Sequence, residues 1–199
     1  MSAISRVAVF TGSAPGADPE YVRSAIAVGS ALATAGIGLV YGGGNVGLMG
    51  AVASAGREAG GEVVGVIPNA LVDKEIAHDD LTRLEVVADM HERKHRMAEL
   101  SDAFVMLPGG IGTLEEFFEA WTWQQLGIHR KPIAVYDVNG FWNPLMTMID
   151  RLVAEGFVAP HFRDSLIRAS DPAQLLDELA AWQPPAPKWD DPTGTLESR

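Results

Sequence analysis

At 199 residues and 47% hydrophobic, the chain can bury a substantial core and suits one α/β domain. Its net charge of −11 argues against a broad nucleic-acid surface. The absence of cysteine excludes disulfides, thiol nucleophiles and cysteine-ligated metals.

Apolar runs stay well short of the roughly 18 residues that a membrane span needs. Residues 1–6 lead directly into a strand without signal-peptide anatomy, so the expected location is the cytoplasm. Residues 6–11 read as the first strand and 12–16 as a small-residue loop. Asp18 and Pro19 form a cap and first position for a helix running to about Ala35, ended by Gly36. The second strand spans 37–41, followed by Gly42-Gly43-Gly44-Asn45-Val46-Gly47 and a helix over 48–59. A third strand, 62–67, stops at Pro68. Residues 69–82 are less periodic and are expected to cover the site as a loop with a short helix. A short strand over 84–88 precedes a helix over 90–100.

The apolar run Ala103-Phe104-Val105-Met106-Leu107 reads as a central buried parallel strand. It ends in Pro108-Gly109-Gly110 and passes through Gly112-Thr113 into an amphipathic helix over 114–126. Another strand spans 132–137, a helix 142–155 ends at Gly156, and Ser170-Asp171-Pro172 opens a last helix to about Trp182. Alternating strands and helices with short connections predict a doubly wound, Rossmann-like parallel sheet in a single domain over 1–183. The proline-bearing residues 184–199 read as a disordered tail. Such sheets bind ligands at the carboxyl ends of their strands, where three turns here are small or glycine-rich.

The Pro108–Glu116 stretch joins a strand to a helix N-terminus. Glycines let a ligand approach the backbone, first-turn N–H groups point at an anion, and Thr113 can cap or donate. Glu115 and Glu116 follow, pointing about a quarter-circle apart; first-turn acidic enrichment accounts for one of them. Gly42-x-Gly44-x-x-Gly47 satisfies a dinucleotide fingerprint. However, it follows the second strand, and the third strand ends without the acidic residue that would hold a ribose; tight packing of helix on strand is the plainer reading. His91-Glu92-Arg93-Lys94-His95 matches the HExxH zinc pattern by letter, but its middle positions are charged and no third ligand follows. Arg93 and Lys94 are better read as the local cationic feature that an anion requires in an acidic chain, with Arg96 on a solvated face. Phe117, Phe118, Trp121 and Trp123 read as core or subunit contact, and His78, His129 and His161 as surface or loop residues.

Taken together, PGGIGTLEE, the upstream MHERK and YGGGNVGLMG resemble the LOG family of cytokinin riboside 5′-monophosphate phosphoribohydrolases, many of whose relatives carry a lysine decarboxylase label. FTGSAPGADPEY is similar to the family's FCGSxxGxxxxY, with Thr11 in place of cysteine, and TWQQLGIHRKPI extends the likeness, which runs over about 7–158. The resemblance implies hydrolysis of the N-glycosidic bond of N6-modified AMP, with AMP itself a second candidate, releasing base and ribose 5-phosphate. It also implies a homodimer and no required metal or cofactor. Carried over by motif, Arg93 and Glu116 are the catalytic pair. Glu75, Arg93, Lys94, Gly109, Gly110, Ile111, Gly112, Thr113, Leu114, Glu115 and Thr122 bind the nucleotide. Ser13, Gly44, Gly47, Met90 and Pro108 join the candidate binding set from the same motifs. A carboxylate can stabilise the oxocarbenium-like ribosyl cation or activate water. Lys94, beside Arg93 on a helix, makes a poor Schiff-base lysine, so decarboxylation is unsupported. A non-catalytic nucleotide carrier or sensor on the same fold is the alternative.

Overall fold

The computed structural model describes residues 4–72 and 80–189. Among the described residues, seven strands, all parallel, form one sheet in the order β4-β3-β2-β1-β5-β6-β7. They are β1 Arg6–Phe10, β2 Gly38–Tyr41, β3 Val63–Pro68, β4 Arg83–Val87, β5 Ala103–Met106, β6 Ile133–Tyr136 and β7 Ile167–Ala169. The helices are α1 Pro19–Thr34, α2 Gly47–Glu58, α3 Met90–Leu100, α4 Ile111–Gln125, α5 Asn143–Ala154, α6 Pro160–Asp164 and α7 Pro172–Ala181, with a 3-10 turn at Asn69–Leu71. Among the described residues, no helix is long and apolar enough to cross a membrane.

The sheet is covered on both faces, which is why its strands are continuously apolar rather than alternating. Val7 and Val9 of β1 point into the layer under α1, α2 and α7, whereas Ala8 and Phe10 point into the layer under α3, α4, α5 and α6. Helix starts follow local chemistry: the Asp18 carboxylate accepts from the Glu20 N–H at 2.9 Å, Asp89 caps α3, and Asp171 caps α7. On α3, Glu92 reaches back past the cap residue to accept from the Ala88 N–H.

Strand order reverses at β1. The chain winds outward through β2, β3 and β4, then returns to place β5 on the other side of β1. The turns after β2, β1 and β5 are therefore neighbours at one sheet end, the crevice where such folds bind ligands. The sequence reading missed α6 and β7. Three residues of strand and five of helix are too short to show a period, and the exposed Arg168 interrupts the strand. Residues 184–189, expected in a disordered tail, pack instead across the end of α4: the Lys188 N–H donates to the Gln125 carbonyl at 2.9 Å, and Pro187 adjoins Gly127.

Candidate functional site

The three glycine turns touch. The Gly12 N–H and the Thr11 hydroxyl both donate to the Pro108 carbonyl, at 3.1 and 3.0 Å, tying the end of β1 to the turn after β5. The N–H groups of Leu48 and Met49 donate to the Gly12 carbonyl at 3.0 and 3.3 Å. That bond occupies the first turn of α2. Gly47 has φ 55°, and a side chain there would run into the Ser13 backbone at 2.4 Å. The Gly42–Gly47 fingerprint thus serves close packing of α2 on the β1 turn. Gly44 is buried within it, and Ser13 is exposed above Gly47.

Helix α4 starts at Ile111, three residues earlier than the sequence suggested, with Gly110 as its cap residue and no side-chain cap. Its first intrahelical bond runs from the Leu114 N–H to the Gly110 carbonyl at 3.1 Å, so the N–H groups of Ile111, Gly112 and Thr113 precede it. Thr113 does not cap. It is buried beneath Gly109, where a side chain would lie 2.1 Å from its hydroxyl. Space opens above Gly110 and Gly112, and Ile111 is 82% exposed. An uncapped helix N-terminus facing open space is a ready anion site. The early start also moves Glu115 and Glu116 beyond the first turn, so the helix dipole does not account for either.

Arg93 and Lys94 are buried. Arg93 threads under the ends of β2 and β3. Its Nη2 donates to the Gly42 carbonyl at 2.7 Å, its Nε to the Val66 carbonyl at 3.1 Å, and its Nη1 approaches the Met90 Sδ at 3.6 Å. Gly42 is glycine because a methyl there would lie 1.9 Å from that Nη2. The Lys94 ammonium binds Glu115, and Glu119 at 3.0 Å, across to α4. Burial works to lower the Lys94 pKa, but the hydrogen bonds and charge attraction of the two carboxylates together outweigh it and hold the group above the ordinary lysine value. Glu116 lies one turn beyond Gly112, about a quarter-circle round α4 from Glu115. Arg96 is paired rather than solvated, with Glu85 at 2.6 Å and Glu99 at 2.9 Å, which raises its pKa. His91 and His95 sit on the exposed side of α3, with His95 3.2 Å from Glu99.

Thr122 does not reach the glycine turn of its own chain. It is exposed about three helical turns along α4, roughly 16 Å away, with its hydroxyl donating to the Phe118 carbonyl at 2.7 Å. Glu75 and His78 lie outside the described residues. His129, expected on the surface, is wedged against Phe104 with Nε2 2.9 Å from the Ala120 carbonyl, and burial depresses its pKa to about 4. Phe117 and Trp121 are core, whereas Phe118 and Trp123 are only partly covered.

Two features escaped the sequence reading. Glu119 pairs with Lys94 and was legible only through its i+4 spacing from Glu115. The second is an apolar cleft of about 470 Å³ that opens beside Gly109 and Gly110, between Leu114 and Phe118 of α4 and Trp142, Leu145 and Met148. A larger cleft of about 660 Å³ lies at the opposite strand ends, beside Ile4, Asp102 and Trp182. The smaller is the relevant one, because the glycine turn and the first two turns of α4 line it.

Comparison with known proteins places the chain in a family. The profile of the family described as "Possible lysine decarboxylase" matches residues 49–179. Cytokinin riboside 5′-monophosphate phosphoribohydrolase LOG7 of Arabidopsis thaliana is 46% identical over 92% of this chain and 84% of its own. LOG3 of the same plant is 43% identical over 92% and 85%. Among solved structures, the molybdenum cofactor binding protein of the phototrophic bacterium Rippkaea orientalis superposes with a TM-score of 0.69 at 20% identity, covering 91% of this chain and 98% of that one. That likeness shows the shared fold alone. The sequence relatives are far nearer and extend along almost the whole chain, so the chain belongs to the LOG family.

Proposed function

We propose that the protein hydrolyses the N-glycosidic bond of cytokinin riboside 5′-monophosphates, releasing the free base and ribose 5-phosphate. The observation that carries this reading is the open, uncapped α4 N-terminus standing beside the helix of Arg93 and followed one turn on by Glu116. A 5′-phosphate seated on the N–H groups of Ile111, Gly112 and Thr113 anchors the nucleotide, and that remote binding energy fixes the ribose over the flank carrying Glu116. The C1′–N bond to the base breaks and a C1′–O bond forms to water. Glu116 stabilises the developing ribosyl cation or takes the water proton, while the departing base nitrogen acquires a proton. Arg93, held by two carbonyls, faces this region as a fixed cation for the ribose, the phosphate or Glu116.

A homodimer completes the reading. Ile111, Leu114, Phe118 and Leu126 form an apolar stripe on the outer side of α4 that borders the cleft. A second copy packed there would bring a Thr122 to a turn that this chain's own Thr122 cannot reach. No metal or cofactor enters the chemistry, and a cytoplasmic location fits a nucleotide substrate.

The test is chromatographic detection of free base from isopentenyladenosine 5′-monophosphate and from AMP, with the unphosphorylated nucleosides as controls. Release from the monophosphates, lost in Arg93→Ala and Glu116→Ala with folding retained, is the expected result. Nucleotide binding without base release would instead favour the carrier alternative, and normal turnover by both variants would refute the residue roles.

A further inference from the structure

Glu119 lies beyond the glycine-turn motif, one turn past Glu115 on the flank of α4 that faces α3. Its carboxylate meets the Lys94 ammonium at 3.0 Å, while Glu115 binds the same ammonium. The Lys94 side chain is only 7% exposed; that of Glu119 is 26% exposed and that of Glu115 50%. A buried ammonium is tolerated only while its partners are in place, because removing them leaves an uncompensated charge.

Chain connectivity gives this ion group its reach. Lys94 follows Arg93 on α3, and Glu115 precedes Glu116 on α4, so the group joins the two backbone segments bearing the proposed reacting side chains. The two carboxylates are not equivalent. Glu115 stands half exposed beside the open turn and can exchange its bond to Lys94 for one to a ribose hydroxyl. Glu119, deeper between the helices and a turn further from the ligand, keeps Lys94 paired when that exchange occurs.

Resting on the phosphoribohydrolase reading, we infer that Glu119 is a positioning residue for base release, holding Lys94 so that Arg93 and Glu116 keep their mutual spacing while Glu115 turns to the nucleotide. The phosphate seat is backbone N–H and does not depend on this ion group. Loss of Glu119 therefore acts on the reacting geometry and spares ground-state binding, which is a kcat effect rather than a KM effect.

The experiment compares Glu119→Gln and Glu119→Ala with the parent protein on isopentenyladenosine 5′-monophosphate, alongside the Kd for ribose 5-phosphate and thermal melting. The expected result is a kcat about 10- to 100-fold lower, with KM and the ribose 5-phosphate Kd within about 3-fold of the parent. In a Lys94→Met background, Glu119→Gln should lower kcat by no more than about 2-fold further, because its effect passes through Lys94. A parent-like kcat in Glu119→Gln, a raised KM at unchanged kcat, or full multiplicative loss in the Lys94→Met background would overturn the inference. If Glu119→Ala does not fold, the isosteric Glu119→Gln carries the comparison. Absence of base release by the parent protein sinks the functional reading and this inference together; release by the parent with an unaffected Glu119→Gln sinks the inference alone.

Discussion

Replacing Gly42 by alanine should disable Arg93 without touching it. The Gly42 backbone is outside the left-handed region, so alanine can adopt it and the perturbation is purely one of space. The new methyl would lie 1.9 Å from Arg93 Nη2 and 3.0 Å from its Cζ. Non-bonded carbon–nitrogen contact requires about 3.5 Å, so the guanidinium must retreat by roughly 1.5 Å. That movement breaks its 2.7 Å bond to the Gly42 carbonyl. A buried hydrogen bond to a charged group contributes about 1.5–3 kcal/mol, and the gain from replacing glycine offsets about 0.5–1 of it. A net loss of about 1–2 kcal/mol predicts a Tm lower by about 2–8 °C. The catalytic consequence should be larger, about 100-fold in kcat, because displacement on the ångström scale takes a reacting group out of alignment. Calorimetry and base release from isopentenyladenosine 5′-monophosphate measure the two effects. Parent-like Tm and kcat together would refute the argument that Arg93 is held by the β2 turn.

Gly112→Ala meets open space in this structure, so the variant should melt at the parental temperature or gain about 0.5–1 kcal/mol of helix stability. Its KM for the nucleotide should nonetheless rise about 10-fold or more if phosphate seats against that turn, and an unchanged KM would place the anion elsewhere. The His129 ring is kept neutral down to about pH 4 by burial against Phe104, whereas an unfolded histidine titrates near 6.5. Stability present above pH 6.5 is thus lost as pH falls toward 4, by at most about 3 kcal/mol. His129→Gln should flatten that part of a Tm-versus-pH curve, and an unaltered slope would exclude His129 as its source. Phe118→Asp should halve the mass seen by light scattering if the α4 stripe pairs two copies, while an unchanged mass would place the interface elsewhere.

The fold was legible where the sequence carried strong periodicity or capping chemistry. Asp18-Pro19 marked the start of α1, Met90–Leu100 was bounded correctly, and the apolar run before Pro108 formed a fully buried parallel strand, although the centre of the sheet is its neighbour β1. Where the reading erred, a competing local rule had won. Thr113 is a good cap residue by type, yet the close approach of Gly12 to Gly109 pulls the helix start back to Ile111 and buries the threonine inside it. Candidate site residues were visible as motifs, but their contacts were not, because those contacts span large separations in sequence. Nothing local to MHERK reveals that Arg93 bonds the carbonyls of Gly42 and Val66, or that Lys94 is held by two carboxylates from α4.

Those contacts change the electrostatic account of how an acidic chain holds an anion. The sequence alone suggests that Arg93 and Lys94 form a basic patch working against the global field. In the fold, the Lys94 charge is spent within the protein on Glu115 and Glu119, and Arg93 is anchored by backbone carbonyls below the turn. Counting Glu116, the next residue of α4, these two cations are accompanied by three carboxylates, so this group of side chains brings no excess of positive charge. On the proposed reading, attraction for the phosphate comes from the oriented N–H groups and dipole of α4, which act at short range and are partial charges rather than full ones. Such a seat rewards a phosphate delivered in the right orientation and gives little to a diffuse polyanion. That explains how one small anionic ligand can be accepted by a chain whose net charge of −11 discourages nucleic acid. The proposed reading then favours a task for Arg93 other than capture. A guanidinium fixed by two carbonyls before the ligand arrives is preorganised, and preorganised charge is most effective where charge develops during bond breaking.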